Sequence, residues 1–351
     1  MTLPELSIII PTLNEAESLP LLLADLVQQR ELAFEVVVSD GGSVDATRAI
    51  VEDFFASGKL SGNCVVGPGG RGRQLNLGVG AAKSDWLLFL HADSRICDVH
   101  QLRKALDFIC EYQQQQPDLM TAGRFSLEFD KRADENRYGL FYYEAKARLG
   151  RPGCIHGDQG MLMTKACLQE AGSFREDLPV MEDTSIAEVI RASGQWLLLP
   201  GVIVTSARRF HVEGINARQT LNALMMNFLA IGWVDFFLNA PDVYRQQDRT
   251  QSLQLHPFFT LIRDLLGQMP ILQRWRIWLA TGGYVRGQAW QLGFALDCRK
   301  AYQGGYEPSQ QTNVWLKWFD RWFEPLTNHC VGRVLTALLV RLWFSWQLRF
   351  R

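Results

Sequence analysis

Leu6-Ser-Ile-Ile-Ile10 is a short apolar run rich in β-formers, closed by Pro11. The period then changes. Across residues 18–29, Leu19, Leu22, Leu23, Leu26 and Val27 recur at helical spacing. Phe34-Glu-Val-Val-Val38 is strand-like again, residues 46–55 helical, Cys64-Val-Val strand-like, residues 74–83 helical and residues 86–90 strand-like. Strand and helix alternating at this pace predict a parallel, doubly wound α/β sheet. Strands apolar on both faces lie inside such a sheet, and ligands bind at their C-terminal ends.

The pattern loosens afterwards. Residues 102–112 are a further helix. Residues 123–129 alternate like a half-exposed strand, residues 138–149 form an aromatic helix and residues 161–163 a strand. Met181-Glu182-Asp183 opens a helix through Arg191, and residues 196–200 and 202–205 read as the last strands. Residues 221–238 suggest one long apolar helix, residues 241–254 a polar linker, and the remainder is helical and aromatic. The expected division is an α/β domain over 1–215 and a helical region over 216–351.

Composition narrows the function. The 351 residues carry a formal net charge of -1, which speaks against nucleic acid or any other polyanion as partner. Seven scattered cysteines without C-x-x-C point to a reducing, cytoplasmic compartment. The N-terminus has no basic region before its first strand, so no signal peptide is expected. No stretch reaches the roughly 18–20 apolar residues of a spanning helix. Eight of the eleven tryptophans follow residue 270, and from Arg299 onward eight basic residues face three acidic ones. Trp275, Trp278, Trp315, Trp318 and Trp322, with the apolar run near Arg341, suit a helix in a bilayer interface, at the inner face of the cytoplasmic membrane. An ordinary aromatic core or a dimer face would use the same residues.

Candidate chemistry collects at strand ends. Leu90-His91-Ala92-Asp93 ends the fourth strand with a carboxylate that could hold a divalent metal, hold a ribose, or cap the next turn. Mg²⁺ or Mn²⁺ takes few protein ligands beside phosphate oxygens and water, and His91 would favour Mn²⁺. Asp40 and Asp45 follow the second strand around Gly41-Gly42, a turn that lets backbone approach a nucleoside. Asp45 suits an N-cap and Asp40 a ligand role. Gly67-Pro-Gly-Gly-Arg71-Gly72 matches G-x-G-x-x-G in form, yet follows the third strand rather than the first. Arg71 and Arg73 could neutralise a diphosphate or be a solvated helix start. Glu182 and Asp183 could cap their helix or supply a general base. His156, Asp158 and His211 are further candidates.

In order, these stretches resemble the family 2 inverting nucleotide-sugar glycosyltransferases. Pro11-Thr12-Leu-Asn14-Glu15 resembles P-x-x-N-E, and Asp40-Gly-Gly-Ser-Val-Asp45-Ala-Thr47 resembles D-D-G-S-x-D-x-T. Gly72-Arg73-Gln-Leu-Asn76 resembles A-R-N, and His91-Ala92-Asp93 occupies the D-x-D position. Gly157–Gly160 with Ala171–Phe174 is similar to the acceptor-side segment, and Glu182-Asp183 matches E-D. The resemblance covers residues 5–215. It implies a GT-A fold, a UDP- or other nucleotide-sugar donor, a divalent metal (Mn²⁺ or Mg²⁺) and single-displacement inversion. By position it implies Pro11, Thr12, Asn14, Glu15, Asp40 and Gly41 around the nucleoside, with Ala92 beside it and Arg71 and Arg73 by the diphosphate. Asp93 and His91 fall at the metal, and Asp183 with Glu182 at the catalytic base. Gly41 and His91 depart from the pattern, each standing where the family has Asp. Phe-Leu-His-Ala-Asp and Thr205-Ser-Ala-Arg-Arg-Phe210 resemble a bacterial subgroup linked by name to arsenosugar biosynthesis. The acceptor is left open between lipid-linked, envelope and small molecules. The alternatives are a non-catalytic membrane-associated nucleotide-sugar binder and a nicotinamide-dependent oxidoreductase on Gly67–Gly72.

Overall fold

Seven strands build one sheet in the computed structural model, which describes residues 3–117, 119–130, 137–245 and 252–350. They are β1 (Leu6–Thr12), β2 (Phe34–Asp40), β3 (Gly62–Val66), β4 (Trp86–Phe89), β5 (Thr121–Asp130), β6 (Met161–Thr164) and β7 (Gln195–Ser206), in the order β3-β2-β1-β4-β6-β5-β7. β1 pairs in parallel with β2 and β4, β2 with β3, and β5 with β7. Only β6 runs antiparallel, to both of its neighbours. This is the mainly parallel, helix-flanked sheet expected of a GT-A fold. Up to residue 193 the helices are α1 (Leu19–Val27), α2 (Thr47–Ala56), α3 (Arg71–Ala81), α4 (Gln101–Gln115), α5 (Arg137–Ala147), α6 (Lys165–Glu170) and α7 (Glu182–Ser193), of which α5 falls almost wholly in the second of two compact units.

The continuous apolar runs have a direct cause. Leu6, Ile8 and Ile10 face one core with Val36, Val38 and Leu88, while Ile9, Val37, Leu87 and Phe89 face a second core on the other side. With both faces covered, alternation gives way to unbroken hydrophobicity. β5 follows the same logic and corrects the expectation of a half-exposed strand, because residues 121–127 are all buried. The two expected last strands are one, β7, bent at Gly201 (φ 113) beside a register shift against β5.

The chain divides into two compact units, residues 1–130 with 146–206, and residues 131–145 with 207–351. Helices dominate the second, which includes α8 (Arg208–Glu213), α9 (Ile215–Ala230), α10 (Val234–Arg245), α11 (His256–Gly267), α12 (Ile271–Gly287), α13 (Trp290–Gln303), α14 (Val314–Trp318), α15 (Glu324–Thr327) and α16 (Cys330–Phe350). The single helix expected over 221–238 is two, because Gly232 takes a left-handed φ of 70 that ends α9 and restarts the chain as α10. Residues 241–245 of the expected linker belong to α10, and 246–251 lie outside the described residues.

α12 and α16 cross at Gly282. A Cβ there would lie 2.6 Å from both the Ala337 Cβ and the Arg333 carbonyl oxygen. Gly282→Ala is expected to push the helices apart at a cost of about 1–3 kcal/mol. Thermal unfolding followed by circular dichroism checks this, as a lower Tm with helix content retained.

Candidate functional site

The C-terminal ends of β1 and β2 are tied into one rigid edge. Asp40 closes β2, and its side chain turns back on its own loop. Oδ1 accepts from the backbone N–H groups of Gly42 (3.0 Å) and Ser43 (2.9 Å), while Oδ2 accepts from Thr12 Oγ1 (3.2 Å) and Ser43 Oγ. Burial opposes ionisation here, but the Ser43, Gly42 and Thr12 donors outweigh it and hold the carboxyl below its usual range. Asp40 is therefore an organiser of the β2–α2 turn. The β1–α1 loop is fastened to the same turn, since Asn14 N–H donates to Ser43 Oγ (2.9 Å), Val44 N–H to Asn14 Oδ1 (2.9 Å) and Glu15 N–H to Thr47 Oγ1 (2.8 Å). Asn14 takes φ 57 to do so. Asp45 accepts from Thr47 N–H (3.0 Å) at the start of α2 and from Ala16 N–H (3.1 Å), so it caps and bridges together.

Gln74 is a residue that sequence reasoning left without a role. From α3 its amide donates to the carbonyls of Thr12 (2.7 Å) and Ser39 (3.0 Å), joining both strand ends. A Cβ at Gly41 would lie 2.9 Å from that amide carbon. A side chain at 41 would displace an amide held by two hydrogen bonds, which explains physically why glycine stands where the family pattern has a second Asp. Pro11 is half-buried at the same edge.

α3 begins earlier than its hydrophobic pattern suggests, so Arg71 and Arg73 are in its first turn. Arg71 Nε pairs with Glu182 Oε1 at 3.3 Å, while Arg73 is exposed and 4.0 Å from Glu176. Gly72 serves packing, because a Cβ there would meet the Arg175 carbonyl oxygen at 2.3 Å. Asn76 fastens α3 to the same segment. Its amide donates to Phe174 O (2.9 Å) and accepts from Phe174 N–H (3.2 Å).

The chemistry concentrates where β4 ends. His91, Ala92 and Asp93 follow β4, with Ala92 buried and the other two half-buried. Across from them, Met181 adopts a left-handed φ of 69 and launches α7. Asp183, in its first turn, accepts from Gly157 N–H (2.7 Å) on Oδ2 and from Thr184 N–H (2.6 Å) on Oδ1. A Cβ added to Gly157 would sit 2.7 Å from Asp183 Oδ2 and 2.8 Å from His91 Nε2. Both side chains thus converge on this glycine, and nothing larger fits between them. Burial would raise the Asp183 carboxyl, but the charges of Arg71, His156 and His91 and the Gly157 N–H hold it below its usual value. His156 Nδ1 lies 2.9 Å from Thr184 Oγ1. Arg124 on β5 braces the loop from beneath, donating to the carbonyls of Ala147 (2.6 Å) and Leu149 (2.9 Å), and burial lowers its pKa to about 10.

Two other carboxylates share the site. Burial, then the charges of Asp183 and Asp93, push Asp158 up to about 7. Its Oδ1 is sealed from solvent without a hydrogen-bond partner. Burial and the charge of Asp183 likewise raise Glu182 to about 7, against the pull of Arg71. Among the described residues no three His, Cys, Asp or Glu side chains are grouped as a complete metal cage. The donor set nevertheless fits a divalent cation bound largely through phosphate and water, because Asp93 adds to a negative field in which Asp158 keeps an unpartnered oxygen. His211 lies in α8, in the helical unit.

Residues 7–169 match the family profile described as Glycosyl transferase family 2. That matched stretch, a little under half of the chain, is what resembles the family 2 glycosyltransferases. Proteins named PGL/p-HBAD biosynthesis glycosyltransferase, from Mycobacterium tuberculosis (strain ATCC 25177 / H37Ra) and Mycobacterium bovis (strain BCG / Pasteur 1173P2), are 37% identical over 116 residues. That match covers 32% of this chain and 44% of theirs, less than half the length of these relatives. Among solved structures, the mannosyltransferase PcManGT from Pyrobaculum calidifontis, in complex with GDP-Man and Mn²⁺, is 19% identical at a TM-score of 0.48, covering 98% of this chain and 88% of its own. S. aureus TarS 1–349 in complex with UDP-GlcNAc is 17% identical at 0.46, covering 86% and 92%.

The raised carboxylates of the α/β unit make stability depend on pH. Asp158 has a folded pKa near 7 and an unfolded pKa near its ordinary value of 3.8. Between these values the unfolded chain releases the proton first, so this contribution is full at low pH and is lost as pH rises to about 7. Asp158→Asn removes it. In chelator, without donor, the variant's Tm is expected to exceed wild type by a few degrees at pH 8, with the gap closing towards pH 4. Calorimetry across that range checks it, and a gap that widens at low pH contradicts it.

Proposed function

We propose that the protein transfers a sugar from a nucleotide-diphosphate donor, a UDP-sugar first, to an acceptor hydroxyl with inversion at the anomeric carbon. The observation that carries this reading is Asp183. Its carboxylate is ionised, oriented by two backbone N–H groups and set against His91 at the end of β4. The nucleoside lies over the strand ends at Pro11, Thr12, Asn14, Glu15 and Gly41, on the turn that Asp40 holds. Arg71 and Arg73, at the start of α3, face the diphosphate and offset its charge. Asp93 and His91 would hold a divalent cation, which supplies Lewis-acid stabilisation of the departing nucleotide. The acceptor oxygen attacks the anomeric carbon as the bond to the diphosphate breaks, and Asp183 takes the hydroxyl proton. Glu182, raised to about 7 and paired with Arg71, keeps that guanidinium beside the base. The free cysteines suit a cytoplasmic setting. A lipid-linked or envelope acceptor would be met at the membrane's inner face.

Asp183→Asn is expected to keep donor binding and to lose turnover by about 10²-fold or more, as removal of a general base requires. Release of UDP from a UDP-sugar with and without acceptor, beside a thermal-shift titration of the same donor, separates the two effects. Near-normal turnover would remove Asp183 as base.

His91→Ala tests the metal. If its imidazole nitrogen binds the cation, the variant loses its preference for Mn²⁺ over Mg²⁺ while donor affinity in chelator stays unchanged. An unaltered preference and metal affinity would leave His91 a packing residue.

A further inference from the structure

α16 wears its hydrophobic residues on the wrong side for a protein surrounded by water. Ala337, Phe344 and Gln347 are buried on its inner face. Val331, Leu335, Leu339, Leu342 and Trp346 form an outward stripe at helical spacing, with Leu339 65% and Leu342 67% exposed. The stripe runs roughly 22 Å along the helix. α12 repeats the device with Ile271, Leu272, Trp275 and Leu279, all exposed. The two helices are antiparallel neighbours, since Gly282 meets Ala337 and Trp278 packs edge-on against Phe344 at 5.3 Å. Their outer stripes adjoin, because the Arg341 guanidinium lies 4.7 Å over the Trp275 ring. A stripe of this kind does not belong to an ordinary core, because its residues are exposed.

Charge decides what covers it. Arg274 and Arg276 lie on α12 and Arg333, Arg341 and Arg349 on α16, and neither helix contains an acidic residue; Arg286 of α12 is buried against Glu324 and is not part of this face. Two copies of this face brought together would oppose like charges, which disfavours a self-complementary contact. Lipid headgroups of negative charge complement it. Tryptophan rings beside arginines, with leucines between them, are what an interfacial helix presents, the arginine stems lying along apolar surface while the guanidinium stays with the headgroups. Among the described residues no helix is long and apolar enough to cross a membrane. A helix of this kind can lie along the bilayer surface rather than cross it.

We propose that the outer faces of α12 and α16 dock the protein onto an anionic bilayer, with Leu339, Leu342, Trp275 and Trp346 in the headgroup–acyl boundary. This goes beyond the sugar-transfer reading and stands whether or not that reading holds, because it rests on surfaces of the helical unit alone.

The test is flotation of the full chain with phosphatidylcholine vesicles, with and without phosphatidylglycerol, at low and high salt. Binding to the phosphatidylglycerol vesicles is expected, with a blue shift of tryptophan emission, weakening in high salt and on phosphatidylcholine alone. The double variant L339E/L342E should bind at least about tenfold more weakly, since each leucine loses its apolar burial. Its Tm and circular dichroism should match wild type, because both residues face outward. Should it fail to fold, R341Q is read instead, with weaker binding expected on phosphatidylglycerol vesicles. No vesicle binding by the wild-type chain, or binding indifferent to the folded variants and to salt, overturns the proposal. A dimer in analytical ultracentrifugation that L339E/L342E dissociates, without lipid binding, assigns the face to a second copy instead.

Discussion

Negative charge packed at the end of one strand is the constraint around which the site is built. Asp93, Asp158, Glu182 and Asp183 lie close enough that Asp183 raises both Asp158 and Glu182, and Asp93 adds to the effect on Asp158. Carboxylates withdrawn from water are stable only if something offsets them. Here the offset is divided. Arg71 pairs with Glu182 and, with two backbone N–H groups, holds Asp183 below its usual value, and Asp158 is pushed up to about 7. Environments that push adjacent carboxyls in opposite directions are a general mark of acid–base sites.

Each part of the fold that borders this cluster serves its geometry. The left-handed Met181 aims the first turn of α7 at the loop carrying Gly157. Gly157 is as small as the approach of Asp183 and His91 demands. Gly72 lets the start of α3 press against the Arg175 backbone, which brings Arg71 to Glu182. Asn76 and Gln74 fix the rest of α3 to its surroundings. The edge formed by the ends of β1 and β2 has its own lock, the Asp40 turn, in which both carboxylate oxygens accept from donors of the chain itself. Preorganisation of this kind places groups before any ligand arrives.

Within the helical unit the physical problem is inverted. Aromatic rings such as Phe228, Phe236, Phe258 and Phe294 fill its interior, while equally apolar residues line the outside of α12 and α16. Composition alone cannot tell these two uses apart, since both draw on Trp, Phe and Leu at helical spacing. Exposure separates them.

Much of the α/β unit was legible in the sequence. Strands buried on both faces announce themselves as unbroken apolar runs, and the helices between them show the 3.6-residue period, so β1, β2, β4 and α1 to α4 follow from pattern, while the exposed edge strand β3 shows only in Cys64-Val-Val. The strand-end positions of Asp40 and Asp93 and the helix start at Glu182-Asp183 were legible as well, because strand-end turns and helix first turns favour particular residue types. Local pattern misjudged β5, whose burial depends on partners far away in sequence, and the apolar run over 221–238, which a single backbone angle at Gly232 divides. Only the tertiary structure decided which groups meet. The pairing of Arg71 with Glu182, the convergence of His91 and Asp183 on Gly157, the reason for glycine at 41 and the adjoining apolar stripes of α12 and α16 all join residues distant in the chain. Spacing along a sequence records the local geometry of one element, whereas charge compensation and surface continuity arise between elements.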